Sequence, residues 1–171
     1  ARAKLGDAVI SDLTDERRQC ETAAGRNALQ ALVGRLSKAA GDGRAFSVVV
    51  TDWSIVNAFA APGEKIVLAR GLLDKAETAD ELAGVLAHEM GHGIERHPET
   101  AMVRNLGISA GINLVLGGAA GSLASAGAYL AELSYTREAE RAADQHALLI
   151  LRQAGIATDG LAGFFRRIMA E

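Results

Sequence analysis

The sequence predicts an α+β fold, mainly helical, with a small antiparallel β-sheet beside one central helix. Three observations predict it. Several segments carry apolar residues at helical spacing, three short segments are apolar and rich in β-branched residues, and turn signals separate them. The chain of 171 residues is long enough for one core. Since no repeat or linker divides it, we expect a single domain covering residues 1–171.

The first predicted helix extends over 14–40 and is ended by Gly41 and Gly43. Its apolar residues recur at helical spacing, as Leu29, Leu32, Val33 and Leu36 show. Cys20 falls in a charged part of this stretch, so we expect an exposed or half-buried thiol. Because Cys20 is the only cysteine, a disulfide within the chain is excluded.

Three strands are predicted next, at 46–50, at 53–60 and at Lys65–Ala69. The Pro62-Gly63 turn signal between the last two indicates a hairpin. A short helical turn follows at 72–77.

The next helix has a well-defined predicted start and carries the most informative motif. Thr78-Ala79-Asp80-Glu81 matches a capping box, with Thr78 as N-cap and Glu81 reaching back to it. Ten residues after Thr78 the chain reads His88-Glu89-Met90-Gly91-His92, an H-E-x-x-H pattern. We expect Pro98 to close this helix.

The H-E-x-x-H pattern predicts a zinc site. Two histidines four residues apart lie on one face of a helix, where they can take adjacent corners of a Zn²⁺ tetrahedron. Glu89 follows the first histidine and points toward the same metal, so it can serve as general base on a water that zinc activates.

A catalytic zinc usually has three protein ligands, so a further residue must join His88 and His92. His97 would lie about 140° around a continuous helix from His92, and we expect it to pack near the helix end rather than bind the ion. His146 is an alternative without a motif around it. Glu140 is favoured, because Asp144 lies one turn later on the same face and can accept a hydrogen bond from a ligand histidine.

The segment 105–131 contains six glycines and no charged residue. A single membrane crossing there would place the two histidines and Glu140 on opposite sides of the bilayer, where they could not bind one ion. If the segment formed two helices instead, each helix would be too short to span the bilayer. We therefore expect a helical hairpin that packs on the domain or touches a membrane surface; a mobile lid is the other alternative. A helix over 132–153, ended by Gly155, and a short helix capped by Thr158 complete the chain.

Composition disfavours a nucleic-acid partner. The net charge is −3, with 49% hydrophobic and 23% charged residues, and lysines and arginines form no block. The sequence does not indicate an oligomeric state.

Taken together, these motifs resemble the M48 family of zinc metallopeptidases. The resemblance rests on the H-E-x-x-H helix, on the stretch from Tyr135-Thr136-Arg137 through Glu140 to Asp144, and on Asn57-Ala58-Phe59 ahead of Pro62-Gly63. It extends from about 49 to 155 and implies a zincin-type fold of the gluzincin kind.

The resemblance also implies roles for individual residues. His88, His92 and Glu140 become the ligands of one Zn²⁺ per chain, Glu89 the base, and Asp144 an acid that orients a ligand or handles a proton. An extended substrate would lie along an edge strand, expected at Lys65–Ala69, with Ile66, Val67, Leu68 and Ala69 as substrate-binding residues. None of the residues after Asp144 has a context typical of an oxyanion-stabilising group.

The resulting hypothesis is a zinc-dependent endopeptidase that hydrolyses proteins or peptides in quality control, in the bacterial periplasm or cell envelope. The alternative is an autoinhibited or non-cleaving substrate-binding module on the same zinc fold. A structural zinc protein is disfavoured, since structural sites fill all four positions, usually with cysteines.

Overall fold

A computed structural model describes residues 1–107 and 127–171. It confirms the mainly helical α+β fold class. A short helical segment occupies 127–132. The other elements, in chain order, are α1 (Arg2–Glu16), α2 (Ala23–Ala40), β1 (Ser47–Thr51), β2 (Ala58–Ala61), β3 (Lys65–Ala69), α3 (Arg70–Lys75), α4 (Ala79–Ile94), α5 (His97–Leu106), α6 (Arg137–Ala154) and α7 (Gly160–Met169).

The three strands form a mixed sheet in the order β1-β3-β2. The predicted hairpin is confirmed, because β2 pairs antiparallel with β3. The sheet as a whole is not antiparallel, since β1 pairs parallel with β3. The prediction that Lys65–Ala69 is an edge strand is wrong: β3 lies in the centre, and its residues Ile66, Val67, Leu68 and Ala69 are at most 1% exposed.

The helix predicted over 14–40 is two helices with an extended joint between them. Thr22 is the N-cap of α2, where its hydroxyl accepts a hydrogen bond from the N–H of Gly25. In the joint, Gln19 forms a β-bridge with Thr51, and the N–H of Cys20 donates to the carbonyl of Val50 at 2.9 Å. The residues around Cys20 thus lie along β1 instead of being helical, and the thiol of Cys20 is exposed as expected.

The start of α4 follows the capping prediction in one respect and departs from it in another. The hydroxyl of Thr78 accepts a hydrogen bond from the N–H of Glu81 at 3.1 Å, so Thr78 is the N-cap. The carboxylate of Glu81 accepts from the N–H of Glu77 at 2.7 Å, one residue earlier than a capping box requires, and from the guanidinium of Arg167. The start of α4 is therefore held by hydrogen bonds to Glu77 and Thr78 and by the contact of Glu81 with Arg167 of α7.

Helix α4 crosses the centre of the molecule and packs on α2 and α6. The shared core consists of buried apolar side chains, among them Leu36, Leu86, Met90, Ala147, Ile150 and Leu151. Helix α6 begins at Arg137, five residues later than predicted, because Thr136 is its N-cap. It ends at Gly155 as expected, where a φ of 69° gives the left-handed conformation that glycine favours. Asp159, not Thr158, precedes the last helix as N-cap residue.

Most of the uncharged segment 105–131 lies outside the described residues. The predictions of a helical hairpin, a lid or a membrane contact for this segment therefore fall outside the described residues and stay predictions. Among the helices in 1–107 and 127–171, none combines the length and the apolar character needed to cross a membrane.

Candidate metal centre

Three side chains from two helices converge beside the sheet. On α4, the Nε2 atoms of His88 and His92 lie 3.1 Å apart. From α6, one carboxylate oxygen of Glu140 lies 3.1 Å from Nε2 of His88, and the other lies 3.7 Å from Nε2 of His92. The sequence-predicted ligands His88, His92 and Glu140 are therefore brought together at one point.

The spacing of these donors fits a single small cation. Zinc bonds of 2.0–2.1 Å at a tetrahedral angle place two ligand atoms roughly 3.3 Å apart. The three separations of 3.1, 3.1 and 3.7 Å lie around that value. Two imidazole nitrogens and one carboxylate oxygen are also a donor set that zinc takes at catalytic sites.

The far nitrogen of each histidine has a partner of its own. Nδ1 of His88 lies 2.8 Å from a carboxylate oxygen of Asp144, one turn beyond Glu140 on α6. Nδ1 of His92 lies 2.8 Å from Nδ1 of His97. Both imidazoles thus make outward hydrogen bonds, which leave their Nε2 atoms facing the point shared with Glu140.

The position of His97 differs from the prediction that it lies away from His92. Helix α4 ends at Ile94, and Arg96 adopts a left-handed conformation with φ 56° and ψ 35°. Helix α5 begins at His97, and the imidazole of His97 lies against that of His92. Pro98, expected to close α4, instead lies in the first turn of α5. Proline favours that position, which is the sequence signal that could have revealed a new helix there.

Glu89 is held by the sheet. One of its carboxylate oxygens accepts a hydrogen bond from the N–H of Ala60 in β2 at 3.0 Å. Burial raises the pKa of Glu89 to about 8; the hydrogen bond from Ala60 opposes the shift, and the charge of Glu140 adds to it. A dication bound at the neighbouring donors would lower that pKa again.

His92 is the most enclosed of these groups, with 2% of its side chain exposed. Burial lowers the pKa of His92 to about 3, and the neighbouring His88 and His97 add to the effect. The neutral ring, which has a lone pair for a metal, is therefore favoured. Tyr135 stacks on it, with ring centroids 4.2 Å apart and planes 24° from parallel. Tyr135 belongs to the stretch on which the family resemblance rests, but its sequence context alone predicts no role for it.

The remaining histidine, His146, is engaged elsewhere. Its Nε2 lies 2.7 Å from a carboxylate oxygen of Glu95, at the end of α4. This pair joins α6 to α4 away from the three converging donors. It gives no support to His146 as the alternative ligand.

Among the described strands, β2 is the outer strand on the side of the sheet that faces this site. The N–H of Ala69 donates to the carbonyl of Asn57, and pairs in an antiparallel ladder alternate between bonded and non-bonded. The backbone groups of Ala58 and Ala60 consequently face away from β3. The contact between Ala60 and Glu89 shows that this outward edge reaches the site.

Comparison with known proteins agrees with the geometry. The sequence profile of peptidase family M48 matches residues 23–170. The chain belongs to peptidase family M48. Membership of this family implies a divalent metal ion.

Individual M48 relatives are similar over about two thirds of this chain. A mitochondrial metalloendopeptidase OMA1 of Arabidopsis thaliana is 34% identical over 116 residues, which cover 67% of this chain and 24% of the relative. A putative beta-barrel assembly-enhancing protease of Vibrio cholerae is 31% identical over 129 residues, 68% of this chain and 27% of the relative. Metalloprotease LoiP of Escherichia coli is 34% identical over 121 residues, 66% of this chain and 47% of the relative. The chain thus spans between a quarter and a half of the length of these relatives.

Proposed function

We propose that this chain is a zinc-dependent endopeptidase in which His88, His92 and Glu140 bind the metal and Glu89 is the general base. The observation that carries the proposal is the convergence of three donor atoms from α4 and α6, with both histidines hydrogen-bonded outward. A mixed nitrogen and oxygen donor set favours zinc over magnesium or calcium, which prefer oxygen ligands alone. Three protein ligands leave a fourth position for water or substrate.

When bound, zinc would supply Lewis acidity, which polarises a peptide carbonyl and lowers the pKa of water. The protein supplies the proton transfers. Because the N–H of Ala60 holds one carboxylate oxygen of Glu89, the other oxygen is left to take the proton of the attacking water. Glu89 then passes that proton to the leaving amine, so one residue serves both half-steps.

Asp144 has the role of orienting His88 in this proposal. A carboxylate can only accept at that contact, so Nδ1 of His88 carries the proton and Nε2 presents its lone pair to the metal. Asp144 is 58% exposed at its side chain, and its carboxylate lies 2.8 Å from Nδ1 of His88, the ring nitrogen that does not face Glu140. We therefore assign it the orienting role rather than a proton transfer.

We propose that substrates bind along β2 in place of the strand favoured by sequence. The outward N–H and carbonyl of Ala58 and the outward carbonyl of Ala60 would offer hydrogen bonds to an extended peptide, while the N–H of Ala60 remains bonded to Glu89. Backbone pairing tolerates many side chains, which suits an enzyme that acts on varied proteins. The site leaves Ile66, Val67, Leu68 and Ala69 as core residues behind that strand.

We further propose that the chain acts in protein quality control in a bacterial cell envelope. Support comes from relatives named beta-barrel assembly-enhancing protease and LoiP.

We treat 1–171 as one domain, because α1 supplies Leu5, Val9 and Leu13 to a core that also contains Phe59 and Val67 of the sheet.

The test combines metal analysis with a proteolysis assay. The purified protein is expected to bind one zinc ion and to digest casein, and a chelator should stop digestion until zinc is restored. Glu89→Gln should keep the zinc and lose at least ~100-fold in kcat, since general-base catalysis contributes on that order. Glu138→Gln, an exposed carboxylate of α6, is the matched control and should leave both properties unchanged.

Two outcomes would contradict the proposal. Full casein digestion by Glu89→Gln would remove Glu89 from the mechanism. Zinc binding without any digestion, in wild type and under all conditions tried, would point to the non-cleaving binding module instead.

A further inference from the structure

The two motif histidines have chemically different partners behind them. Nδ1 of His88 faces the carboxylate of Asp144, whereas Nδ1 of His92 faces another imidazole, that of His97, at the same distance of 2.8 Å. A carboxylate only accepts hydrogen bonds, but a neutral imidazole has one donor and one acceptor nitrogen. The direction of the bond between His92 and His97 therefore depends on which of the two rings donates.

The surroundings of His92 decide that direction. Its Nε2 lies 3.1 Å from Nε2 of His88 and 3.7 Å from the carboxylate of Glu140. To bind a cation there, Nε2 must present its lone pair, so the single proton of the neutral ring is on Nδ1. Nδ1 of His92 then donates to Nδ1 of His97, and His97 carries its own proton on Nε2.

We propose that His97 is a positioning residue of the metal centre. It accepts the hydrogen bond from Nδ1 of His92 and so fixes the tautomer and the ring orientation in which His92 can bind metal. The inference rests on the proposed metal site and adds to it a residue that touches neither metal nor substrate.

The geometry around His97 supports a fixed acceptor instead of a loosely packed ring. The left-handed Arg96 turns the chain so that His97 starts α5 directly beside His92. The ring of His97 meets that of His92 at 65° with centroids 5.0 Å apart, and Tyr135 contacts both rings. His97 is thus held by its backbone on one side and by an aromatic ring on the other.

Two substitutions separate an acceptor role from simple packing. His97→Leu replaces the imidazole with an apolar side chain of similar volume and removes the acceptor. His97→Asn is smaller and packs worse, but its amide oxygen can occupy the position of Nδ1. If His97 acts only through packing, His97→Leu should cause the smaller loss of zinc affinity. If His97 acts as a hydrogen-bond acceptor, His97→Asn should cause the smaller loss.

The zinc affinity of the purified protein gives the first readout, measured by competition with a chromophoric chelator. We expect His97→Leu to bind zinc roughly 10–100-fold more weakly, the usual effect of losing a partner of a ligand histidine. His97→Asn should recover most of that loss. His146→Leu, which removes a histidine paired with Glu95 in the same region, is the matched control and should leave the affinity unchanged.

Long-range ¹H–¹⁵N NMR of the zinc-loaded wild type gives a second readout that needs no variant to fold. We expect the spectrum to show that the ring of His97 carries its proton on Nε2 and that its Nδ1 is unprotonated. A proton on Nδ1 of His97 would overturn the inference, as would unchanged zinc affinity in His97→Leu. Failure of the wild type to bind zinc would overturn the proposed function as well. The zinc affinity of the wild type therefore tests the metal site, and the effect of His97→Leu tests the role of His97.

Discussion

Gly91 of α4 lies directly against the backbone of Ala143 in α6: a Cβ atom added at Gly91 would lie 2.6 Å from the Ala143 carbonyl oxygen and 2.8 Å from its Cα. Gly91 sits between the two motif histidines, and Ala143 sits between Glu140 and Asp144. This tight contact between the two helices thus lies at the level of the two histidines and the two carboxylates. Glycine at this position lets α6 bring its carboxylates within reach of α4.

Gly91→Ala is expected to destabilise the protein by about 1–3 kcal/mol, because the new methyl group would meet backbone atoms that cannot rotate away. It should also weaken zinc binding, since the helices must separate at Glu140. Thermal unfolding and chelator competition measure the two effects.

Gly34→Ala in α2 is the matched control for that substitution. In the described parts of the chain, and apart from its chain neighbours and the nearby backbone of α2 itself, no atom lies within 4 Å of a Cβ added there. Replacing an exposed helical glycine should stabilise the fold by about 0.5–1 kcal/mol. If Gly91→Ala were as stable and bound zinc as well as Gly34→Ala, the close helix contact would not be needed for the site.

Asp144→Ala is expected to weaken zinc binding roughly 10–100-fold, because Nδ1 of His88 loses its acceptor. Asp144→Asn should lose less, since its amide oxygen can still accept that hydrogen bond. Chelator competition measures both. Glu138→Ala, also on α6, controls for the loss of a surface carboxylate; an equal loss there would assign the effect to overall charge.

Zinc is expected to stabilise the folded chain, because the three donors converge only when α4 and α6 are packed together. At a free zinc concentration 100 times Kd, the free energy of unfolding should rise by about 2.7 kcal/mol. For a chain of this size that is a rise in Tm of roughly 5–10 °C. Glu140→Gln should greatly reduce the rise measured by calorimetry at the same zinc concentration. A full rise in that variant would place the metal elsewhere.

Glu81 makes the stability of the fold depend on pH. The hydrogen bond from Arg167 and that from the N–H of Glu77 lower the pKa of Glu81 below its ordinary value. A lowered folded pKa means that the charged form stabilises the protein above the unfolded pKa, about 4.3, and that this contribution is lost as the pH falls through the folded pKa. The free energy of unfolding of wild type should therefore exceed that of Glu81→Gln most at neutral pH. Urea titrations at several pH values measure the difference, and a gap that widens toward acid pH would contradict the assignment.

The part of the site that depends on local chemistry could be predicted from sequence. Thr78 as a cap and the four-residue spacing of His88 and His92 are properties of one helix, and the structure agrees with both. Glu140 and Asp144 are a similar local pair on another helix. Their chemistry indicated that they belong with the histidines, although their placement depends on tertiary packing.

The predictions that failed depend on contacts between distant segments. Whether Lys65–Ala69 is an edge or a central strand depends on β1 pairing with it from the other side, which its own residues do not encode. The joint at Cys20 is extended because it pairs with Val50 in β1. His97 reaches His92 only because Arg96 is left-handed, a conformation that arginine adopts rarely.

The distance along the chain between the second histidine and Glu140 affects when the proposed site can form during synthesis. A nascent chain that has emerged only as far as α4 contains two histidines and the base but lacks the carboxylate of α6. The centre is completed only after α6 has been translated and has packed against Gly91. In the proposed mechanism hydrolysis therefore requires α6 to be in place, and a chain translated only as far as α4 lacks the complete site.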